Sequence, residues 1–195
     1  MKLLKYIVAI TLFFNFLLTA QTKWVFDKAH TKIGFSVSHM VINEVEGNFK
    51  SFDGSLTTNK NDFTDAKIKF TVDVNSINTD NSERDKHLKS DDFFNAKKYP
   101  KMVFVSKSLK KISGKKYKMV GDLTIRDKTK EIVLDVKFNG TIKDPWGNIR
   151  AGFSLEGEIN RFDYNLKWSK LLETGGLVVG KTVTILGKVE LIKQK

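Results

Sequence analysis

From Lys32 to Leu191 the chain repeatedly alternates apolar and polar residues with a period of two. Ile33, Phe35 and Val37 are separated by Gly34 and Ser36, and Ile68, Phe70, Val72 and Val74 by Lys69, Thr71 and Asp73. The pattern returns from Tyr117 to Ile125, Ile132 to Ile142, Ile149 to Ile159 and Val183 to Leu191. Successive side chains on a strand point to opposite faces, so each run predicts a strand with one apolar face. Arg126-Asp127-Lys128-Thr129 and Asp144-Pro145-Trp146-Gly147-Asn148 are turn-forming stretches short enough to join their neighbours as antiparallel hairpins. Roughly eight strands of this kind leave a sandwich or a barrel as the available architectures. Several runs exceed the ~5–6 residues of an ordinary strand, and long strands in hairpin succession favour an all-β antiparallel barrel.

Two stretches break the alternation. In "NSERDKHLKSDDFFNAKKYP", Ser82 is expected to cap a short helix with Asp85 three residues on. Arg84 and Leu88 then share one face, Asp85 and Lys89 pair on another, and Phe93-Phe94 follow as an aromatic plug. Tyr99-Pro100 favours extended backbone into a strand from Met102 to Ser106. The segment is thus expected to cross between strands and cover the open end of the barrel. Arg84 and Asp85 then either satisfy buried backbone groups or meet a ligand directly. The second stretch, 160–176, carries Arg161, Phe162, Asp163, Tyr164 and Trp168 and is expected to pack on the rim or gate it. Trp146 is expected on the rim as well.

Gly47, Gly121, Gly140, Gly157 and Gly187 all fall on the apolar phase of their runs, where they supply either curvature or internal space. An elongated cavity would be flanked by Phe35, Phe49, Phe70, Phe104, Phe138 and Phe153. Val37, Val72, Met119, Leu134, Val136, Leu155 and Ile185 share that phase. An eight-stranded barrel is about the size that either packs itself solid or holds one small ligand.

The amino terminus changes the cellular context. Lys2 and Lys5 precede an apolar run from Tyr6 to Leu18 and the small residue Ala20. The run is short of the ~20 residues of a membrane span. It predicts a cleaved secretory leader over residues 1–20, a mature chain from about Gln21, and a periplasmic or secreted destination. The remaining residues, 21–195, show no linker or repeat and are expected to form one domain. With no cysteine in the chain, an exported protein of this size must be stabilised by burial alone. The +12 net charge falls to +10 once Lys2 and Lys5 leave with the leader. Its lysines are scattered, which speaks for a solvated exterior, with contact at an anionic membrane surface or ligand head as the alternative, and against a nucleic-acid partner.

Candidate chemistry is sparse. His30, His39 and His87 are the only histidines. His30 and His39 stand an odd number of residues apart, so one unbroken strand would place them on opposite faces and deny them a common metal. No zinc-ligand spacing, nucleophile elbow or phosphate-binding glycine loop occurs, and neither a metal nor another cofactor is expected. A non-enzymatic role follows. A lipid hydrolase or isomerase using His87 and Asp85 is the minor alternative, and a solidly packed interaction protein the other.

Five ordered stretches carry a family resemblance: "WVFDKAHTKIGFSVSHMVINEVEGNF", "SINTDNSERDKHLKSDDFFNAKKYPKMVF", "GDLTIRDKTKEIVLDV", "DPWGNIRAGF" and "INRFDYNLKW". Together they resemble the YceI-like family of polyisoprenoid-binding proteins from about Trp24 to Leu191. The resemblance implies an extended lipocalin-like barrel, exported, holding one long amphiphile such as a polyisoprenoid, an isoprenoid quinone or a fatty amide. Its motif positions here are Asp27, His30, His39, Gly47, Phe49, Arg84, Asp85, His87, Phe93, Phe94 and Pro100, then Gly121, Asp144, Gly147, Arg161 and Phe162. Asp127 departs from the glycine frequent in that turn. The ligand tail is expected against Phe35, Val37, Phe49, Phe70, Val72, Phe104, Met119, Leu134, Val136, Phe138, Gly140, Phe153, Leu155, Gly157 and Ile185. Its head group is expected near His39, Arg84, His87, Phe93, Phe94, Arg161 and Phe162.

Overall fold

The computed structural model describes residues 21–194, so the expected leader lies outside the described residues. Eleven strands form one antiparallel sheet that closes on itself. They are β1 (Thr22–Phe26), β2 (Lys32–His39), β3 (Asn43–Phe49), β4 (Phe52–Thr58), β5 (Lys67–Asp73), β6 (Ile77–Asn78), β7 (Lys101–Ser113), β8 (Lys116–Ile125), β9 (Lys128–Lys143), β10 (Ile149–Asn160) and β11 (Val179–Lys193). Among the described residues the one α-helix, α1 (Ser82–Lys89), lies between β6 and β7.

Eleven strands make an eight-staved barrel because three staves are broken. β1 and β2 both pair with β11, which makes them two halves of one stave bent between Asp27 and Thr31. β4 pairs with β1 and β3 with β2, so the second stave bends in step with the first. β5 continues into β6 through a tight turn at Val74–Ser76. The four strands from β7 to β10 are unbroken and 10 to 16 residues long, and β11 closes the ring through Trp24↔Lys193 to Phe26↔Leu191.

The first bend is held by charge. Arg150 donates through Nη1 to Asp27 at 2.6 Å and Glu190 at 2.5 Å, and through Nε to Asp144 at 2.6 Å. Burial opposes ionisation of both aspartates. Hydrogen bonds from His30, Arg150 and the Ala29 N–H nevertheless hold Asp27 at about 2. Those from Arg150, Asn148 and the Trp146 N–H do the same for Asp144, also at about 2. His30, raised by its bond to Asp27, is the third corner of an Asp27–His30–Glu190 group with metal-ligand spacing. The guanidinium already supplies the positive charge at its centre.

The period-two reading fails at one place. A bulge at Asn139 leaves Phe138 opposite Phe153 and Gly140 opposite Gly152, so the remainder of β9 reverses its faces. Gly140 consequently points away from the interior, and Ile142 is 65% exposed. Trp146 does not pack on the rim but stands in solvent, 80% exposed.

The inward glycines answer the choice between curvature and space in a third way. A Cβ on Gly47 would lie 2.5 Å from the Phe35 ring, one on Gly187 2.6 Å from Leu155, and one on Gly157 2.5 Å from Leu134. Each glycine lets a large side chain from the adjoining strand lie flat against the wall. The wall is thereby sealed with apolar surface and the axis stays clear.

Candidate ligand-binding site

The clear axis is a cavity of about 220 Å³. Its walls come from every stave: Phe35 and Val37, Phe49, Phe70 and Val72, Phe104, Met119, Leu134 and Val136, Phe153 and Leu155, and Ile185 among them. At the α1 end Val37, Leu88, Phe94 and Val179 are only half-buried, whereas Leu56, Leu109, Met119, Leu134, Leu191 and Val189 deeper in are buried. The cavity thus comes close to the surface at the α1 end.

The cap over the α1 end is built locally. Asn81, rather than Ser82, caps the helix, its side chain accepting from the Arg84 N–H at 2.9 Å. Asp85 turns back to accept from Thr79 N at 2.9 Å and Thr79 Oγ1 at 2.6 Å. Arg84 donates to Thr79 Oγ1 at 2.8 Å and its carbonyl at 2.7 Å. Both side chains thus bind the neck between β6 and α1. Leu88 from the helix and Phe93 and Phe94 past it reach the cavity. His87 sits edge-on to Phe93 and Trp168 at 5.1 and 5.3 Å and is paired with Asp92 at 2.9 Å.

Arg161 is the one charged residue among the cavity's lining. It is 2% exposed and donates to the carbonyls of Leu166, Trp168, Val179 and Gly180 at 2.6–3.0 Å. Its guanidinium also lies 4.3 Å over the Phe162 ring, and burial lowers its proton affinity. Tyr164, 1% exposed beside it, is pushed up to about 12 by burial and by Asp163. Arg126 plays a similar part in the β8–β9 turn, with Nη1 donating to the Phe93 carbonyl at 2.9 Å and the Asn165 carbonyl at 2.7 Å. These donors serve the protein's own backbone, so the cavity is chemically a hydrocarbon slot.

Of the expected tail-binding positions, Phe138, Gly140 and Gly157 are not in the cavity wall. Phe138 lies beyond the floor, Gly140 is past the bulge, and Gly157 is covered by Leu134. Of the expected head-group positions Phe93, Phe94 and Arg161 line the cavity, whereas His39, Arg84, His87 and Phe162 do not. Leu109, Leu166 and Val179 do line it, although no sequence signal singled them out. Phe63, which closes the far end, was equally silent in the sequence because it sits in an aperiodic loop.

A family model described as YceI-like domain matches residues 24–191. The UPF0312 protein SERP2314 of Staphylococcus epidermidis is 41% identical over 170 residues, 87% of this chain and 96% of that one. A YCEI protein of Campylobacter jejuni superposes with a TM-score of 0.70 at 38% identity, covering 87% of this chain and 96% of its own. A polyisoprenoid binding domain from Saccharophagus degradans shares the fold, with a TM-score of 0.64 at 15% identity over 88% of this chain and 98% of its own.

Proposed function

The chain belongs to the YceI-like family, and from that premise we infer that it is an exported carrier or store that holds the hydrocarbon tail of one amphiphile inside its barrel. The observation that carries this reading is an apolar cavity on the barrel axis whose single charged lining residue already donates to four backbone carbonyls. Each methylene drawn from water into such a slot contributes about 0.8 kcal/mol. A tail of several isoprene units can therefore bind without polar contacts. The fold shared with a polyisoprenoid binding domain is in keeping with that ligand class.

The size of the cavity limits what can enter. At about 220 Å³ the cavity is smaller than the ~300–1,000 Å³ of ordinary ligand pockets. A polyisoprenoid or quinone tail enters in part, or the walls move apart to admit more of it. Affinity should rise with chain length and level off where the cavity is full. Transfer from a membrane is supported by the β2–β3 hairpin at the same end. There Met40, Val41 and Ile42 are 41%, 69% and 87% exposed, and Leu171 nearby is 69% exposed. Consecutive exposed apolar residues at a cavity mouth suit contact with a bilayer.

Organic extraction of the purified exported protein followed by mass spectrometry should recover a stoichiometric amphiphile, and delipidated protein should take up a long-chain alcohol. Absence of both would defeat the reading. Ile42→Asp should slow uptake from vesicles while leaving uptake of a detergent-dispersed ligand intact.

A further inference from the structure

Beyond the floor of the main cavity lies a second one of about 300 Å³, lined by Trp24, Phe63, Phe138, Thr58, Lys60 and Lys193 among others. The partition between the two is aromatic. Phe63 meets Trp24 at 5.2 Å, Phe138 at 5.5 Å and Phe153 at 5.1 Å, and Phe153 faces the main cavity. Three of these rings stand on strands, but Phe63 comes from the β4–β5 loop. It is 2% exposed and holds a left-handed φ of 61°. A bulky residue in that conformation is strained, and such strain persists only where the surroundings impose it. Here the loop is clamped: Asp65 accepts from Thr58 Oγ1, from Asn59 N at 2.9 Å and from Lys60 N at 3.2 Å.

The polar character of the second cavity differs from that of the first. Lys60 and Lys193 are exposed and form no ion pair among the described residues. The nearby acids are engaged within the loop, Asp65 as above and Asp62 with Thr64 N and Oγ1. Trp24 Nε1 is buried without a hydrogen-bond partner. At the α1 end Arg84, Arg126 and Arg161 donate to the protein itself, although Arg126 Nε and Tyr164 Oη are likewise buried without a partner.

We propose that the pocket behind Phe63 is a head-group subsite for an acidic amphiphile, a carboxylate or phosphate held by Lys60 and Lys193, whose tail passes into the main cavity when Phe63 leaves the partition. The proposal rests on the reading that the barrel holds a hydrocarbon tail. Two cavities that are each too small for a long ligand then become one tunnel with a polar end. The strain at Phe63 lowers the cost of opening it.

Titration calorimetry with hexadecanoate and hexadecanol separates the two readings. Wild type should bind the acid about tenfold more tightly than the alcohol at low salt, the scale of a charge-assisted contact. Lys60→Gln combined with Lys193→Gln should erase that preference and leave the alcohol unchanged. Phe63→Leu, which keeps an apolar side chain in the partition, should speed hexadecanoate entry. Equal affinity for acid and alcohol in wild type, or a preference that survives the double substitution, overturns the subsite but not the carrier. Binding of neither compound overturns the carrier reading and the subsite with it. Hexadecyl phosphate in the same titration tells a phosphate preference from a carboxylate one.

Discussion

The two ends of the barrel are closed by opposite physical means. At the α1 end, arginines reach across chain segments and donate to carbonyls: Arg126 to those of Phe93 and Asn165, Arg161 to four more between Leu166 and Gly180. At the far end a single ring, Phe63, is wedged among Trp24, Phe138 and Phe153. Hydrogen bonds to a buried cation are directional, and removing one partner leaves the others unsatisfied, so that closure is rigid. A ring in an apolar cluster is held by non-directional contact and can be displaced by another apolar group. The arginine-tied cap is thus scaffold around an opening, while the plug is the element suited to give way.

The largest effect should come from Arg161→Met. Four carbonyls lose their donor at a residue 2% exposed, at a cost of about 3–5 kcal/mol in denaturant unfolding. A cost under about 1 kcal/mol would mean that the cap is not fastened as described. Phe63→Gly should be milder. Losing the buried ring costs about 3–5 kcal/mol, and glycine, lacking the Cβ that makes this φ costly, returns about 1–3, for a net loss near 2 kcal/mol. If it proves as damaging as Arg161→Met, the plug is no looser than the cap.

The wall between the ends offers a smaller, paired test. Gly157→Ala pushes a methyl onto Leu134 and the Val133 carbonyl and should cost at least about 1 kcal/mol together with part of the tail affinity. Gly152→Ala, whose Cβ finds Asn139 at an ordinary 3.5 Å on the outer face, should stay within about 0.5 kcal/mol and leave uptake alone. The last effect is read through its pH dependence. Asp27 and Asp144 titrate near 2 rather than 3.8, so the stability they contribute is complete above about pH 4 and lost as the pH falls toward 2. Arg150→Met should lower the Tm at pH 7 and flatten its dependence across that window. An unchanged slope would dissociate the bend from the charge cluster.

Much of the architecture was legible because the signal is local. Alternation in β5, β8, β10 and β11 reports which face of each strand is apolar, and short turns oblige neighbours to pair. The helix and its position between two strands followed from the polar break at 81–92. The site was legible only in part. Phe35, Phe70, Met119 and Leu134 line the cavity as their phase predicts, but one bulged residue, Asn139, sent Gly140 and Ile142 to the other face. A bulge has no strong single-residue signature, and a one-residue slip inverts everything beyond it.

By itself the sequence determined that this chain is an antiparallel barrel with an apolar lining, since period-two patterning is a property of neighbouring residues. Only the tertiary structure decided which polar groups remain available. Arg84, Arg126 and Arg161 look alike along the chain, and each is engaged by carbonyls that folding brings to it, some of them 33 to 39 residues away. The same holds for Phe63, whose role as a floor depends on three rings from distant strands meeting it at once. A side chain's partners are set by distances in space, and no spacing along the chain records them.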